Sequence, residues 1–428
     1  MKRFVERAGF GALVGGVLLM GFLRGQLAMT IQIEFAFVAL AFVLVEAVMS
    51  SLIFSAFMVL SGAFFVGTRV LAGRCNAVAP TGGATVTAIV PVYRDANVLH
   101  RSVESLVEST YEDLEVVVVC EPDDRASQRR AEELADEHDA VSVIVNTGRP
   151  GSKAGAINYA VEQTDGDHVA VFDADEAVDP EFIASAAGRL QDCDVVQGRT
   201  VPEPTGLVES FAYYESVLLS YVGRRLLYVF TGFRMAASRA VVLRRSALQS
   251  VGGYDEGMLT EDFDFAYRCY KGRLDVEEDL ANPSRIEAAH TVVDWWGQRK
   301  RWMTGYVQVF RTLFADIWGS RDYRDLTAVA ICAGTVSGSL LMLSLVSKFA
   351  VLFVVDAGAL FLAPLGAVLG TALVVRLMDY RADIVDTVGW RWLLVPLVFP
   401  LYSLAALKSL VEYLFSWDGE WYRVAKGD

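Results

Sequence analysis

The 428-residue chain has only five cysteines, Cys75, Cys120, Cys193, Cys269 and Cys332, scattered with no C-x-x-C pair. Neither a zinc site nor a disulfide framework is indicated by that spacing. Basic residues are in deficit, 38 against 52 acidic ones, for a net charge of −14. A chain so short of positive charge does not bind nucleic acid. It also has no G-x-x-x-x-G-K-[ST] run, so no Walker A loop. What is abundant is apolar surface. Hydrophobic residues make up 54% of the chain and the mean hydropathy is +0.36, which excludes intrinsic disorder. The two characters are segregated. Residues 75–324 carry 40 Asp/Glu against 25 Lys/Arg, while the flanks carry 12 against 13. An acidic, water-soluble module is thus inserted between two apolar, nearly neutral segments.

The flanks read as membrane. Gly9 to Leu23 is uncharged and apolar and can continue to Met29; it has signal-peptide length, but no small-x-small cleavage site follows Leu23. Phe35 to Val66 is apolar except for Glu46. At about 1.5 Å per residue it outruns a hydrocarbon core of about 30 Å, so one end reaches an interface. Lys2, Arg3 and Arg7 before the pair, and Arg69 and Arg74 after it, put both ends and the module in the cytosol. Three further spans are expected at 326–352, 357–377 and 392–415. An odd total leaves the tail outside, unless one segment lies along the interface. Glu46 and Asp356 either line a path through the bundle or sit at helix ends in water.

The central block alternates strand and helix. Thr85 to Pro91, Leu114 to Cys120, Val141 to Val145 and His168 to Phe172 are short buried strands. Helices are expected around Leu99 to Val107, over Arg125 to His138, and over Ser152 to Gln163. That order predicts a Rossmann-like α/β domain with a mostly parallel sheet. Ligands then sit beyond the carboxyl ends of the strands.

The loops at those ends carry the chemistry. Asp173 and Asp175, spaced i, i+2, can bring two carboxylates to one hard cation that grips a diphosphate; solvated loop aspartates have the same pattern. Gly148 to Asn158 is a glycine-rich loop with Lys153 that opens a helix and suits an anionic phosphate. Thr260-Glu261-Asp262 is either a helix start with acidic residues at its positive end or the site of a general base. Gln298, Arg301 and Trp302 offer a guanidinium fork for phosphate and a flat face for a sugar, or belong to an aromatic and cationic interface helix.

In this order, P-x-Y, D-x-D, T-E-D and Q-x-x-R-W framed by spans, the chain resembles the membrane-integrated family 2 glycosyltransferases, the group of cellulose, chitin, hyaluronan and poly-N-acetylglucosamine synthases. The resemblance implies a GT-A-like domain inserted between transmembrane helices. Two N-terminal spans would occupy 1–74, the catalytic module 75–295, the Q-x-x-R-W segment with an interfacial helix 296–325, C-terminal spans 326–415 and a tail 416–428. It implies that Pro91, Tyr93 and Asp95 lie near the nucleotide base, and that Lys153 and Asn158 lie on the donor. Asp173 would bind the donor and, with Asp175, Mg²⁺ or Mn²⁺. Asp262, next to Glu261, would be the general base, and Gln298, Arg301 and Trp302 would close over the pyrophosphate and the acceptor. Where the family has an Asp-Asp-Gly or Asp-Gly-Ser turn, this chain has Cys120-Glu121-Pro122-Asp123-Asp124, which passes the contact with the base to Glu121 or Asp123. Arg94 and Arg239 also depart from the family pattern. The implied activity is inverting transfer from a uridine diphosphate sugar by an integral plasma-membrane enzyme in contact with membrane lipids. The leading reading is a processive polysaccharide synthase that extrudes its product; single transfer to a membrane-lipid acceptor is the alternative, and a non-catalytic transport or scaffold protein comes third. Helices expected at 207–230 and 303–318 would lie at the interface, and the surplus acid would form a hydrated surface suited to a high-salt cytoplasm.

Overall fold

A computed structural model describes residues 36–72, 79–319 and 322–416. The first expected span, at Gly9 to Met29, and the tail lie outside the described residues. The second forms helix α1 (Ala36–Ala72).

The central block folds as β1 (Val86–Val92), α2 (Leu99–Val107), β2 (Leu114–Cys120), α3 (Arg125–Glu137), β3 (Val141–Val145), α4 (Lys153–Gln163) and β4 (His168–Val171). It continues through α5 (Phe182–Arg189), β5 (Val195–Pro202), α6 (Leu207–Glu215), α7 (Arg224–Thr231), β6 (Val241–Arg244), α8 (Arg245–Ser250), α9 (Glu261–Lys271) and β7 (Val276–Ile286). The seven strands form one sheet in the order β3-β2-β1-β4-β6-β5-β7. Only β6 runs antiparallel to its neighbours. Side chains alternate across each strand, and both faces are packed. Ile89, Val117, Val119, Val169 and Val171 join one core under α4 and α9. Val86, Ala88, Val90, Val116, Val118 and Ala170 join the other under α2, α3 and α5. Burial on both faces is why these strands are almost continuously apolar.

Beyond β7 come α10 (Val292–Asp316), α11 (Tyr323–Val354), α12 (Gly358–Arg381), a 3₁₀ turn at Arg391–Leu397 and α13 (Val398–Ser416). Among the described residues three segments are long and apolar enough to cross a membrane: Ala41–Leu71, Gly358–Arg381 and Arg391–Glu412. α11 is a fourth if its halves, bent by 49° between Leu340 and Met342, count as one span. The bend has a local cause. The Ser403 hydroxyl donates to the Ser339 carbonyl and accepts the Leu343 N–H (3.0 Å), so it stands in the helix's own 339-to-343 bond. Glu46 pairs with Lys348 of α11 at 3.1 Å, and Asp356 is exposed in the α11–α12 turn with φ of 56°.

One expectation needs correction. The stretch from Met303 is not a separate interfacial helix, because α10 runs unbroken from Val292 to Asp316. Met303, Val307, Val309, Phe310 and Leu313 are buried against α9, α11 and α13. Neither Trp302 nor Met303 is a residue that ends a helix, and most of the apolar face that looked interfacial is buried.

Candidate active site

The sheet winds outward in two directions from the β1–β4 boundary, with β2 and β3 on one side and β6, β5 and β7 on the other. The carboxyl ends of β1 and β4 therefore open a crevice at the topological switch point. Pro91 lies two residues beyond Ile89, whose carbonyl accepts the Phe172 N–H at 3.1 Å. Pro91 thus faces β4 just past that strand's last rung, where a missing N–H costs no ladder bond. Tyr93 is exposed at the mouth, its hydroxyl 3.2 Å from Asp123, with the Arg94 guanidinium 4.8 Å over its ring. Asp95 follows, its carbonyl accepting the Val98 N–H at the entry to α2.

The substituted turn after β2 divides its acids by role. Asp123 meets Tyr93 at the mouth. Asp124 caps α3 through the Ser127 N–H (3.2 Å) and accepts the backbone N–H of Arg94, which holds Arg94 at φ 57°. Glu121 is buried, accepting from the Asn146 amide and the Gly151 N–H, both at 2.8 Å. It braces the glycine-rich loop instead of facing the crevice. Asn158 is likewise a brace. Its amide donates to the Tyr254 carbonyl (2.8 Å) and accepts the Tyr254 N–H (3.0 Å), tying α4 to the turn ahead of Thr260.

Lys153, the first residue of α4, is ion-paired with Asp173, and the Arg239 guanidinium lies 3.8 Å from the other Asp173 oxygen. Asp175 is buried two residues on. Beneath them Glu176 accepts the Asp173 N–H at 3.1 Å; complete burial, and then the charge of Asp173, push its carboxyl up to about 8. Two hard oxygen donors at a strand end fit Mg²⁺ or Mn²⁺ sharing its coordination sphere with a diphosphate. The described residues hold no cluster of three or more His, Cys, Asp or Glu that would cage an ion alone.

Opposite stands the start of α9. Thr260 occupies the N-cap position without a side-chain capping bond; it packs instead on Gly305 of α10, where a Cβ would come within 2.4 Å of it. Glu261 turns inward to accept from the Ser238 hydroxyl at 2.8 Å. Burial, then the charge of Asp262, holds the Glu261 carboxyl above its ordinary range, against the pull of Lys153 and Arg301. Asp262 is half-buried, one oxygen accepting the Phe263 N–H at 2.8 Å. Arg239 feels Asp173 first and Asp262 next among its charged neighbours, so it stands between the D-x-D and the T-E-D.

Within Gln298–Trp302 of α10 the buried side chain is Arg299, which bonds Glu215 of α6 at 2.8 Å with Trp295 adding a bond to the same carboxylate at 3.0 Å. The Arg299 guanidinium lies 4.8 Å from the rings of both Trp295 and Trp302, and it donates to the Gln298 side chain. Gln298 and Trp302 are held through Arg299, and Arg301 bears on Glu261.

Comparison with known proteins agrees with this geometry. A family model described as glycosyltransferase-like family 2 matches residues 83–303. The chain belongs to glycosyltransferase family 2. Its α/β fold is GT-A-like. A β-monoglucosyldiacylglycerol synthase of Synechocystis is 27% identical over 220 residues, covering 48% of this chain and 45% of its own length. A poly-β-1,6-N-acetyl-D-glucosamine synthase of Staphylococcus epidermidis is 21% identical, covering 56% and 58% respectively. The chain thus spans about half the length of these relatives. A mannosyltransferase from Pyrobaculum calidifontis, solved with GDP-mannose and Mn²⁺, is 18% identical with a TM-score of 0.49, over 87% of this chain and 100% of its own.

Three residues around the site escaped the sequence assignment. Glu176 directly follows the D-x-D, and only the fold shows that it is completely buried. Glu215 ends an otherwise largely apolar helix that also carries Glu209, a sign that buried partners exist. Arg239 was visible as a departure from the family pattern, but its place between two carboxylates needed the fold.

Proposed function

We propose that the enzyme transfers one sugar, with inversion, from a uridine diphosphate donor to a hydroxyl carried by a membrane lipid. The observation that carries this reading is the seat of the T-E-D. Thr260 packs on α10, and α10 packs against both α11 and α13 of the apolar bundle. A base held there meets an acceptor arriving along the bilayer. Exposed Leu207, Val292 and Val293 at the starts of α6 and α10 extend that apolar approach. The similarity to diacylglycerol glucosyltransferases supports the same acceptor class.

Asp262 accepts the hydroxyl proton as oxygen attacks the anomeric carbon in line with the departing diphosphate. Lys153, Arg239 and Arg301 supply positive charge where negative charge develops on that diphosphate. Asp173 and Asp175 would hold Mg²⁺ or Mn²⁺, which adds charge neutralisation on the leaving group. Tyr93 and Asp123 flank the base, beside Pro91 and Asp95. The catalytic module faces the cytosol from the plasma membrane.

A second reading, processive chain growth, is favoured by the Trp302 face backed by Arg299, which suits a sugar ring at an acceptor end. Labelled nucleotide sugars offered to the purified enzyme with membrane lipids separate the two. One glycolipid product supports lipid transfer, and a ladder of long products overturns it for polymer growth. Asp262→Asn should retain donor binding and lose turnover by about 10²–10⁴-fold; undiminished turnover sinks the general-base assignment.

A further inference from the structure

The last apolar segment, Arg391–Glu412, is long enough to cross a membrane, yet both of its ends are tied to the catalytic module. At one end Arg391 donates to the carbonyls of Pro204, Thr205 and Gly206, between β5 and α6, at 3.2, 2.9 and 2.7 Å. At the other end Glu412 is ion-paired with Lys300 of α10. Between these points the segment follows α6 and α10. Leu401 packs with Ala212 and Trp295, Tyr402 and Ala406 with Met303, and Leu410 with Val307. The 3₁₀ turn passes into α13 through Val398 in helical conformation, φ −58° and ψ −44°. The whole helix is about 35 Å long at about 2.0 and 1.5 Å per residue. A helix of that length that touches one body at both ends and in its middle does not leave it to traverse a hydrocarbon core of about 30 Å.

The other two apolar segments behave differently. Asp379 near the end of α12 is gripped by Arg199 of β5, whereas Gly358 at its start, about 30 Å away, adjoins the exposed turn at Asp356. Half of the most apolar stretch of Arg391–Glu412 is buried, against 17% in Ala41–Leu71 and 22% in Gly358–Arg381. What stays exposed on α13 and the residue before it is one stripe. Leu397, Leu404, Val411 and Phe415 are exposed and fall within about 40° of one another at about 100° per residue. Tyr402, Ala406 and Leu410 are buried on the opposite side. Lys408 stands in the exposed stripe, its ammonium 5.8 Å from the Trp296 ring. That charge is costly inside hydrocarbon, but a helix lying at the interface lets it reach the headgroups.

We propose that Arg391–Glu412 lies in the plane of the membrane along α6 and α10, with its exposed stripe seated among the acyl chains of the leaflet on the module's side. That leaflet is the partner of this surface, and Phe415 stays on the same side of the membrane as the module. The assignment does not depend on which acceptor the enzyme uses.

Single cysteines in the full-length protein carrying Cys75→Ser test this, since Cys120, Cys193, Cys269 and Cys332 are buried. In sealed vesicles with the module outward, a membrane-impermeant maleimide should label Glu133→Cys on the module and Phe415→Cys before permeabilisation, and Asp356→Cys only after it. Labelling of Phe415→Cys only after permeabilisation, together with Asp356→Cys, would overturn the proposal. Spin labels on Leu397→Cys, Leu404→Cys and Val411→Cys read depth through relaxation by oxygen and by a water-soluble nickel chelate. These positions are exposed, so the substitutions leave the packing intact. All three should be immersed equally. A crossing helix would put position 404 about 10 Å deeper than positions seven residues to either side, and a maximum of that kind would overturn the proposal as well.

Discussion

Replacing Gly305 with alanine tests whether the proposed catalytic carboxylates are positioned from the membrane side. The new Cβ would fall 2.4 Å from both Cγ2 and Oγ1 of Thr260 and 2.8 Å from its Cβ. Rotation of the Thr260 side chain moves the first two atoms but not the third. Restoring a carbon contact of about 3.5 Å requires α10 and the start of α9 to separate by about 0.7 Å. Overpacking of this kind costs about 1–3 kcal/mol. Misplacing a reacting group by about 1 Å costs about 10²-fold in rate, so kcat should fall by about 10–100-fold.

The donor KM should change less than kcat, because Tyr93, Asp123, Lys153 and Asp173, proposed for the base and the diphosphate, lie outside the two helices that separate, and only Arg301 moves with α10. Initial rates at saturating donor and a melting curve in detergent read both effects. Thr260 makes no capping bond, and glycine is acceptable at an N-cap, so adding Thr260→Gly should restore most of the lost kcat. A Gly305→Ala enzyme with wild-type kcat would refute the reasoning. A loss that Thr260→Gly fails to recover would refute it equally.

Glu121→Ala removes the acceptor for the Asn146 amide and the Gly151 N–H; chemical denaturation should show a loss of about 1–3 kcal/mol, with a raised donor KM as the Lys153 loop loosens. Glu215→Ala leaves Arg299 buried without its carboxylate and should cost about 3–5 kcal/mol, whereas Glu215→Leu with Arg299→Met should recover most of that stability in the same assay. His290 bonds Glu287 at 2.6 Å and Glu209 at 2.9 Å, and those bonds raise its pKa above 6.5. Because the folded state holds that proton more tightly, the stabilisation is complete below pH 6.5 and fades as pH rises through the raised value; melting temperature against pH should show this fall in wild type and a flatter profile in His290→Gln.

The alternation of strand and helix was legible as far as β4 because each element there is set by its own period and its own breakers. Arg125–Glu137 is a helix with Leu134 and Ala131 inward, and Leu114–Cys120 is apolar because both faces of the sheet are covered. From α5 onward the sheet is completed by β6 running backwards between β4 and β5, and nothing local in Val241–Arg244 states that direction. The catalytic motifs were legible as residue types, since a carboxylate pair or a glycine-rich loop announces its chemistry. Their division of labour was not. Glu121 and Asp123 stand two residues apart on one turn, yet one braces a loop from within and the other faces the crevice, a difference set by where Asn146 and Gly151 happen to lie.

The same limit explains the charges inside apolar segments. Glu46, Glu215, Arg376 and Asp379 each stand out in the sequence as a cost that something must offset. The sequence shows the cost but not the partner, because the partners lie far away along the chain: Lys348 for Glu46, Arg299 for Glu215, and Arg199 for Asp379. Two of these pairs join β5 or α6 to α12 or α10, so the buried charges act as fixed points between the sheet and the bundle. An apolar pair could supply equal stability, but it would tolerate sliding, whereas a bidentate guanidinium–carboxylate pair holds one register. The proposed transfer, with its donor taken from water and its acceptor from the bilayer, would need that register, because Asp262 and the D-x-D would have to keep their separation while both substrates come and go.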